Sequence, residues 1–195
     1  MDRPLIVYLH GFCSSPASWK SRLLAEEMAR RGLGAQFVCP PLSPVPDEAV
    51  ACVENLIGQA SGPVVLVGSS LGGHYANHLA EKHDLRAALI NPAVNPARLW
   101  HEHLGENRNY YSGRRYTITQ DHVEQLRAID TPVLRHPGNF LLLVQTGDET
   151  LDYRLAVDKY KDSTRIIQDG GNHGFVGYEA MLPTIFEFLA PSHHH

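Results

Sequence analysis

The sequence is poor in the features that mark several protein classes. It has three cysteines in 195 residues, Cys13, Cys39 and Cys52, too few for the disulfide framework of a small secreted scaffold. A reducing, cytoplasmic setting is the expectation, and no signal-peptide pattern precedes the first strand-like run, Leu5–Leu9. No apolar run approaches the roughly 20 residues that cross a bilayer, so no membrane span is expected. Basic residues are not in excess. There are 17 Lys and Arg against 21 Asp and Glu, a formal net charge of −4, which argues against a protein that grips nucleic acid through a broad basic surface. The Walker lysine and the G-x-G-x-x-G spacing of nucleotide-binding loops are missing. His101 and His103 stand two apart without a Cys, Asp or Glu set at metal-ligand spacing. Neither a metal nor an organic cofactor is therefore expected. The closing His193, His194 and His195 read as the remnant of an expression tag and are set aside.

What remains is a globular composition, 43% hydrophobic and 19% charged, with the length of a single domain over 1–195. Short apolar runs alternate with longer amphipathic stretches, the mark of a mostly parallel α/β sheet of about six strands. The expected strands are Leu5–Leu9, Gln36–Cys39, Val64–Val67, Ala87–Ile90, Phe140–Val144 and Thr164–Gln168. Val64–Val67 is apolar throughout, as for a central strand covered on both faces. Helices are expected over Ala17–Arg31, after a cap at Asp47, up to about His83, over Asp152–Tyr160 and over Tyr178–Leu189, with Pro183 tolerated if it falls in the first turn. Residues 92–137 break the alternation. They are too many for an ordinary crossover and read as an inserted cap or lid, partly helical, with one helix near Asp121–Ile129.

The chemistry centres on Gly68-Ser69-Ser70-Leu71-Gly72, a G-x-S-x-G pattern placed between the strongest strand and a helix. A serine on such a tight turn stands clear of the sheet edge, and small neighbours let strand and helix approach. Ser70 is the candidate nucleophile; Ser69 is out of register. A serine hydroxyl needs a base, and the base an orienting carboxylate. Asp148 follows the Phe140–Val144 strand and is the candidate acid, with Glu149 and Asp152 as alternatives. His173, in a glycine-flanked loop after the last strand, is the candidate base. His74 lies one helical turn beyond Ser70 and is expected to pack, while His10 is expected to shape the first loop by a hydrogen bond. The N–H groups of Leu71 and Phe12 are the expected oxyanion donors, with Cys13 competing with Phe12. In the insert, Trp100, Tyr110, Tyr111 and Tyr116 either line an acyl pocket or pack the insert down. Arg98, Arg108, Arg114 and Arg115 either meet an anionic substrate group or form a solvated face.

These strings, with Tyr8-Leu9-His10-Gly11-Phe12, Asn91-Pro92-Ala93-Val94, Gln145-Thr146-Gly147-Asp148-Glu149 and Gly170-Gly171-Asn172-His173, resemble the α/β-hydrolase superfamily and, within it, the small bacterial YqiA/YcfP-like esterases. The resemblance runs along nearly the whole chain. It implies a three-layer α/β/α fold, a triad at Ser70, Asp148 and His173, and hydrolysis of carboxylic esters, with acyl-CoA thioesters as a further substrate class. It also implies that the usual first two edge strands are missing. The expected partner is a small-molecule ester or acyl thioester. An acyltransferase with the same triad and a non-catalytic binding protein of the same fold are the alternatives; the oligomeric state is not legible.

Overall fold

The computed structural model describes residues 3–109 and 111–190; Tyr110 and His193–His195 lie outside the described residues. In chain order the elements are β1 (Leu5–Leu9), α1 (Trp19–Arg30), β2 (Phe37–Val38), α2 (Pro46–Gln59), β3 (Val64–Ser69), α3 (Leu71–His83), β4 (Ala87–Ile90), α4 (Pro96–Trp100), β5 (Gly105–Arg108), β6 (Arg115–Ile118), α5 (Gln120–Ala128), β7 (Phe140–Gln145), α6 (Tyr153–Lys159), β8 (Thr164–Gln168) and α7 (Tyr178–Leu189). Six strands form one sheet in the order β2-β1-β3-β4-β7-β8, and every pairing in it is parallel. No helix among the described residues is long and apolar enough to cross a membrane.

The strands are apolar at successive positions because both faces are covered. Val7, Leu9, Leu66, Leu89 and Leu142 point into one core, with Val53 of α2 and Leu79 of α3. Their neighbours Ile6, Tyr8, Val67, Ile90 and Leu143 point into the other, against Leu24 of α1 and Ile185 of α7. The period-2 alternation thus feeds two helix layers, and a register slip of one residue would exchange them.

Three local expectations need correction. Asp47 is not a cap: Pro46 opens α2 after an extended Val45. Its fixed φ and missing N–H suit that position, and Asp47 sits in the first turn, where its charge still favours the helix dipole. Pro183 lies inside α7, beyond the first turn; burial of Leu182, Ile185 and Leu189 offsets the lost backbone bond. Finally, residues 92–137 contain an antiparallel β5–β6 hairpin besides α4 and α5. Asn109 makes its turn, its side-chain oxygen accepting from the Tyr111 and Ser112 N–H groups at 2.9 and 2.8 Å. Trp100, Ile118, Val123 and Leu126 of this insert are buried in the same core as α2 and α3.

Candidate active site

Ser70 caps α3 with φ 56 and ψ −122, a strained conformation for a side chain other than glycine. The turn is held from outside: the Ser70 N–H donates to the Ile90 carbonyl at 3.1 Å, and its own carbonyl accepts from Gly73 and Ala93. The glycines explain the pattern's spacing. A Cβ at Gly72 would overlap the Leu9 carbonyl, and one at Gly68 would overlap the Gly72 carbonyl.

A chain of hydrogen bonds runs from this serine. His173 Nε2 lies 3.1 Å from Ser70 Oγ, and His173 Nδ1 lies 2.8 Å from Asp148 Oδ2. The Asp148 side chain is 1% exposed. Burial pushes its carboxyl up, but hydrogen bonds from His173 and from the Leu151 and Thr150 N–H groups outweigh that and hold it below the usual range. Glu149 accepts the His173 backbone N–H at 3.0 Å, and Asp152 caps α6 while pairing with Arg154. Neither approaches the imidazole as Asp148 does.

The loop bearing His173 is gripped by residues that the sequence reading left without a role. Asn91 donates from Nδ2 to the carbonyls of Asn172 and His173 at 3.1 and 3.0 Å. Gln145 accepts the Asn172 and Val176 N–H groups on Oε1 at 3.1 and 2.9 Å, and donates to the Val176 carbonyl at 2.7 Å. Both are buried, at 2% and 3% exposure. A Cβ at Gly171, whose φ is +73, would overlap Gln145 Oε1. Lys20 donates to the Gly174 carbonyl at 2.9 Å; burial lowers it to about 8, against the pull of Asp148. The available signal was a polar residue closing an apolar strand, Gln145 after Phe140–Val144 and Asn91 after Ala87–Ile90.

On the other side of Ser70 the loop after β1 closes in. An ideal Cβ on Gly11 would lie 3.7 Å from Ser70 Oγ. Among the described residues, neither the Phe12 nor the Leu71 N–H is committed to a protein carbonyl. Beyond this loop opens a cavity of about 610 Å³, within the range of small-molecule sites. Phe12 forms one wall, its ring 5.0 Å from Trp100 and edge-on to Tyr116 at 6.1 Å. Cys13 Sγ meets the Tyr116 hydroxyl at 2.7 Å, and burial pushes this thiol up despite that contact. Trp100, Arg114 and Arg115 line the cavity. Tyr111 does not: it is 53% exposed, set outward by the hairpin turn. Arg115 pairs with Glu106 at 3.0 Å.

Three other histidines make packing or loop contacts. His10 Nε2 accepts the Leu42 N–H at 3.1 Å while Nδ1 faces the Gly11 carbonyl at 3.0 Å, so it bridges the loops after β1 and β2. Burial lowers it. His74 contacts the Leu126 carbonyl at 3.3 Å, and burial, reinforced by Lys159, lowers it to about 3. It packs α3 against α5. His103 touches the Phe12 ring. No group of three or more His, Cys, Asp or Glu among the described residues could hold a metal ion.

Comparison with known proteins gives the fold its place. Residues 5–190 match the model of the family described as "Uncharacterised protein family (UPF0227)". The structure is similar to alpha/beta hydrolase domain-containing protein 10 from mouse (TM-score 0.74, 18% identity, 94% of this chain and 88% of that one). It is also similar to Est1E from Butyrivibrio proteoclasticus (0.65, 14%, 95% and 86%), and to a monoacylglycerol lipase from Paleococcus ferrophilus (0.65, 15%, 95% and 96%). The likeness establishes an α/β-hydrolase fold, and the chain belongs to the UPF0227 family.

Proposed function

We propose that this member of UPF0227 is a serine hydrolase of carboxylic esters, with acyl thioesters, including those of coenzyme A, as a second substrate class. The observation that carries the reading is the hydrogen-bonded chain Ser70 Oγ, His173 Nε2, His173 Nδ1, Asp148 at the carboxyl edge of a parallel sheet. His173 takes the Ser70 proton as the hydroxyl oxygen adds to the substrate carbonyl carbon. Asp148 holds the imidazole with Nδ1 protonated and stabilises its cationic form. The N–H groups of Phe12 and Leu71 receive the oxyanion, supported by the N-terminal end of α3. The bond to the leaving atom then breaks and that atom takes the proton from His173. Water repeats the sequence on the acyl-enzyme and releases the acid.

In this reading residues 92–137 act as a cap over the substrate site, and no metal or cofactor takes part. Of the structural relatives named above, one is a monoacylglycerol lipase, which agrees with the reading. The test is Ser70→Ala. It should abolish labelling by a fluorophosphonate probe and lower ester hydrolysis by about 10,000-fold or more. Labelling and turnover that survive the substitution would overturn the assignment. Product that forms only with an added alcohol or thiol acceptor would identify an acyltransferase.

A further inference from the structure

The triad reading leaves open which half of the substrate the cavity receives, and the layout of the sheet answers it. The tetrahedral carbon formed on Ser70 carries four groups: the serine oxygen, the oxyanion, the acyl carbon and the leaving atom. The leaving atom must lie within hydrogen-bond reach of His173 Nε2, which protonates it. His173 and Asp148 come from the loops after β8 and β7, at one end of the strand order; Ser70 follows β3 in the middle. The cavity lies toward the opposite end. It is lined by the loop after β1, by Leu42 and Val45 from the loop after β2, by Leu71, and by Trp100 and Tyr116 of the insert after β4; none of Ser70, Asp148 and His173 lines it. Gly11 and Leu71 connect it to Ser70, one packed against the serine side chain and the other next to it in sequence.

We propose that this cavity takes the acyl half of the substrate, an apolar or aromatic acyl group, and that the leaving group departs unselected on the His173 side. The inference rests on the hydrolase reading of Ser70. Three features support it. The cavity points away from the proton donor. Its walls include the apolar Phe12, Leu42, Leu71 and Trp100, beside the polar Ser14, Ser43 and Asn109. On the acid's side the loop of Asp148 borders a more open hollow of about 250 Å³, lined by Thr146, Glu149 and Arg154 among others. Arg114 and Arg115 border the acyl cavity, so they stand on the far side of the reacting carbon from any coenzyme A leaving group. Selectivity on this view belongs to the acyl group, and an oxygen ester and a thioester of one acid are ranked alike.

Two ester series test this. With nitrophenol as a constant leaving group, lengthening the acyl part from acetyl to octanoyl or phenylpropanoyl should change kcat/KM by about 100-fold or more, since each buried methylene contributes to selection. With a constant butyryl group, enlarging the alcohol at matched alcohol pKa, benzyl against naphthylmethyl, should change it by less than about 3-fold. Leu42→Trp, which fills the cavity, should then lower octanoyl turnover by about 100-fold and acetyl turnover by far less, with an unchanged thermal melt reporting intact folding. A Leu42→Trp protein that loses bulky alcohols while keeping long acyl groups would overturn the proposal alone, as would insensitivity of both series. Absence of any Ser70-dependent turnover or labelling would overturn the hydrolase reading, and this proposal with it.

Discussion

On one flank of Ser70 the backbone of residues 172–176 is held by Asn91, Gln145, Glu149 and Lys20, through hydrogen bonds of 2.7–3.1 Å. On the other flank the β5–β6 hairpin meets the loop after β1 through the Phe12–Tyr116 ring contact, the Cys13–Tyr116 contact and a bond from Asn109 to the Ser14 carbonyl. The first arrangement is directional and two of its members are buried. The second is mostly apolar contact with an exposed rim. In the proposed mechanism, proton transfer between Ser70 and His173 tolerates little displacement, since small misplacements of reacting atoms cost large factors in rate. A wall that selects by fit needs apolar area and can adjust. The two flanks differ because the chemistry asks different things of them.

The largest effect should come from breaking the buried clasp. Gln145→Leu leaves the Asn172 and Val176 N–H groups without their acceptor and the Val176 carbonyl without its donor. At about 1 kcal/mol or more for each stranded group, stability should fall by roughly 3 kcal/mol. In ester assays kcat should fall about 100-fold with KM nearly unchanged, because the base is displaced and the cavity is not. Thermal melting and a kcat–KM separation measure both. A rise in KM at constant kcat would erase the contrast between the flanks.

The contrast also explains how much could be read in the sequence. Each strand of the main sheet and the order Ser70, Asp148, His173 were legible because alternation, buried apolar runs and a strand–turn–helix pattern are local signals. Four strand ends differ by a residue or two: β2 is one residue shorter at each end than Gln36–Cys39, while β3 and β7 run on through Ser69 and Gln145. Asn91 and Gln145 escaped attention because their partners lie 81 and 27–31 residues away, and a side chain that clasps a distant backbone leaves no periodic trace. The β5–β6 hairpin was missed for another reason. Gly105–Arg108 and Arg115–Ile118 carry charged residues on exposed positions, so they lack an apolar run and depend on the Asn109 turn and on packing against Phe12.

The seam between α3 and the insert should show in acid. Buried His74 titrates near 3 in the folded protein, against about 6.5 in an unfolded chain. Between those values the unfolded state binds a proton that the folded state refuses, so stability falls as pH drops from about 6.5 toward 3. His74→Gln removes that proton uptake. It should flatten the acid limb of a urea-midpoint profile by up to about 1.4 kcal/mol per pH unit, leaving a residual slope from the likewise depressed His10 and His78. An unchanged slope would mean that His74 is not held neutral at this seam.

The smallest effect belongs to the hairpin rim. Arg115 and Glu106 approach to 3.0 Å, but their side chains are 71% and 66% exposed. They sit on neighbouring strands in diagonal register, Glu106 opposite Thr117 and Arg115 opposite Arg108. An ion pair so open to water gains little, because solvent screens the attraction and two long side chains lose freedom in making it. Arg115→Ala should therefore change stability by no more than about 0.5 kcal/mol, and raising the salt to about 1 M should shrink even that. Urea melts at low and high salt give the number. A loss above about 1 kcal/mol that vanished in salt would show that the hairpin is held by charge as much as by Phe12, Trp100 and Tyr116. The acyl wall would then be a fixed structure like the His173 loop rather than an adjustable one.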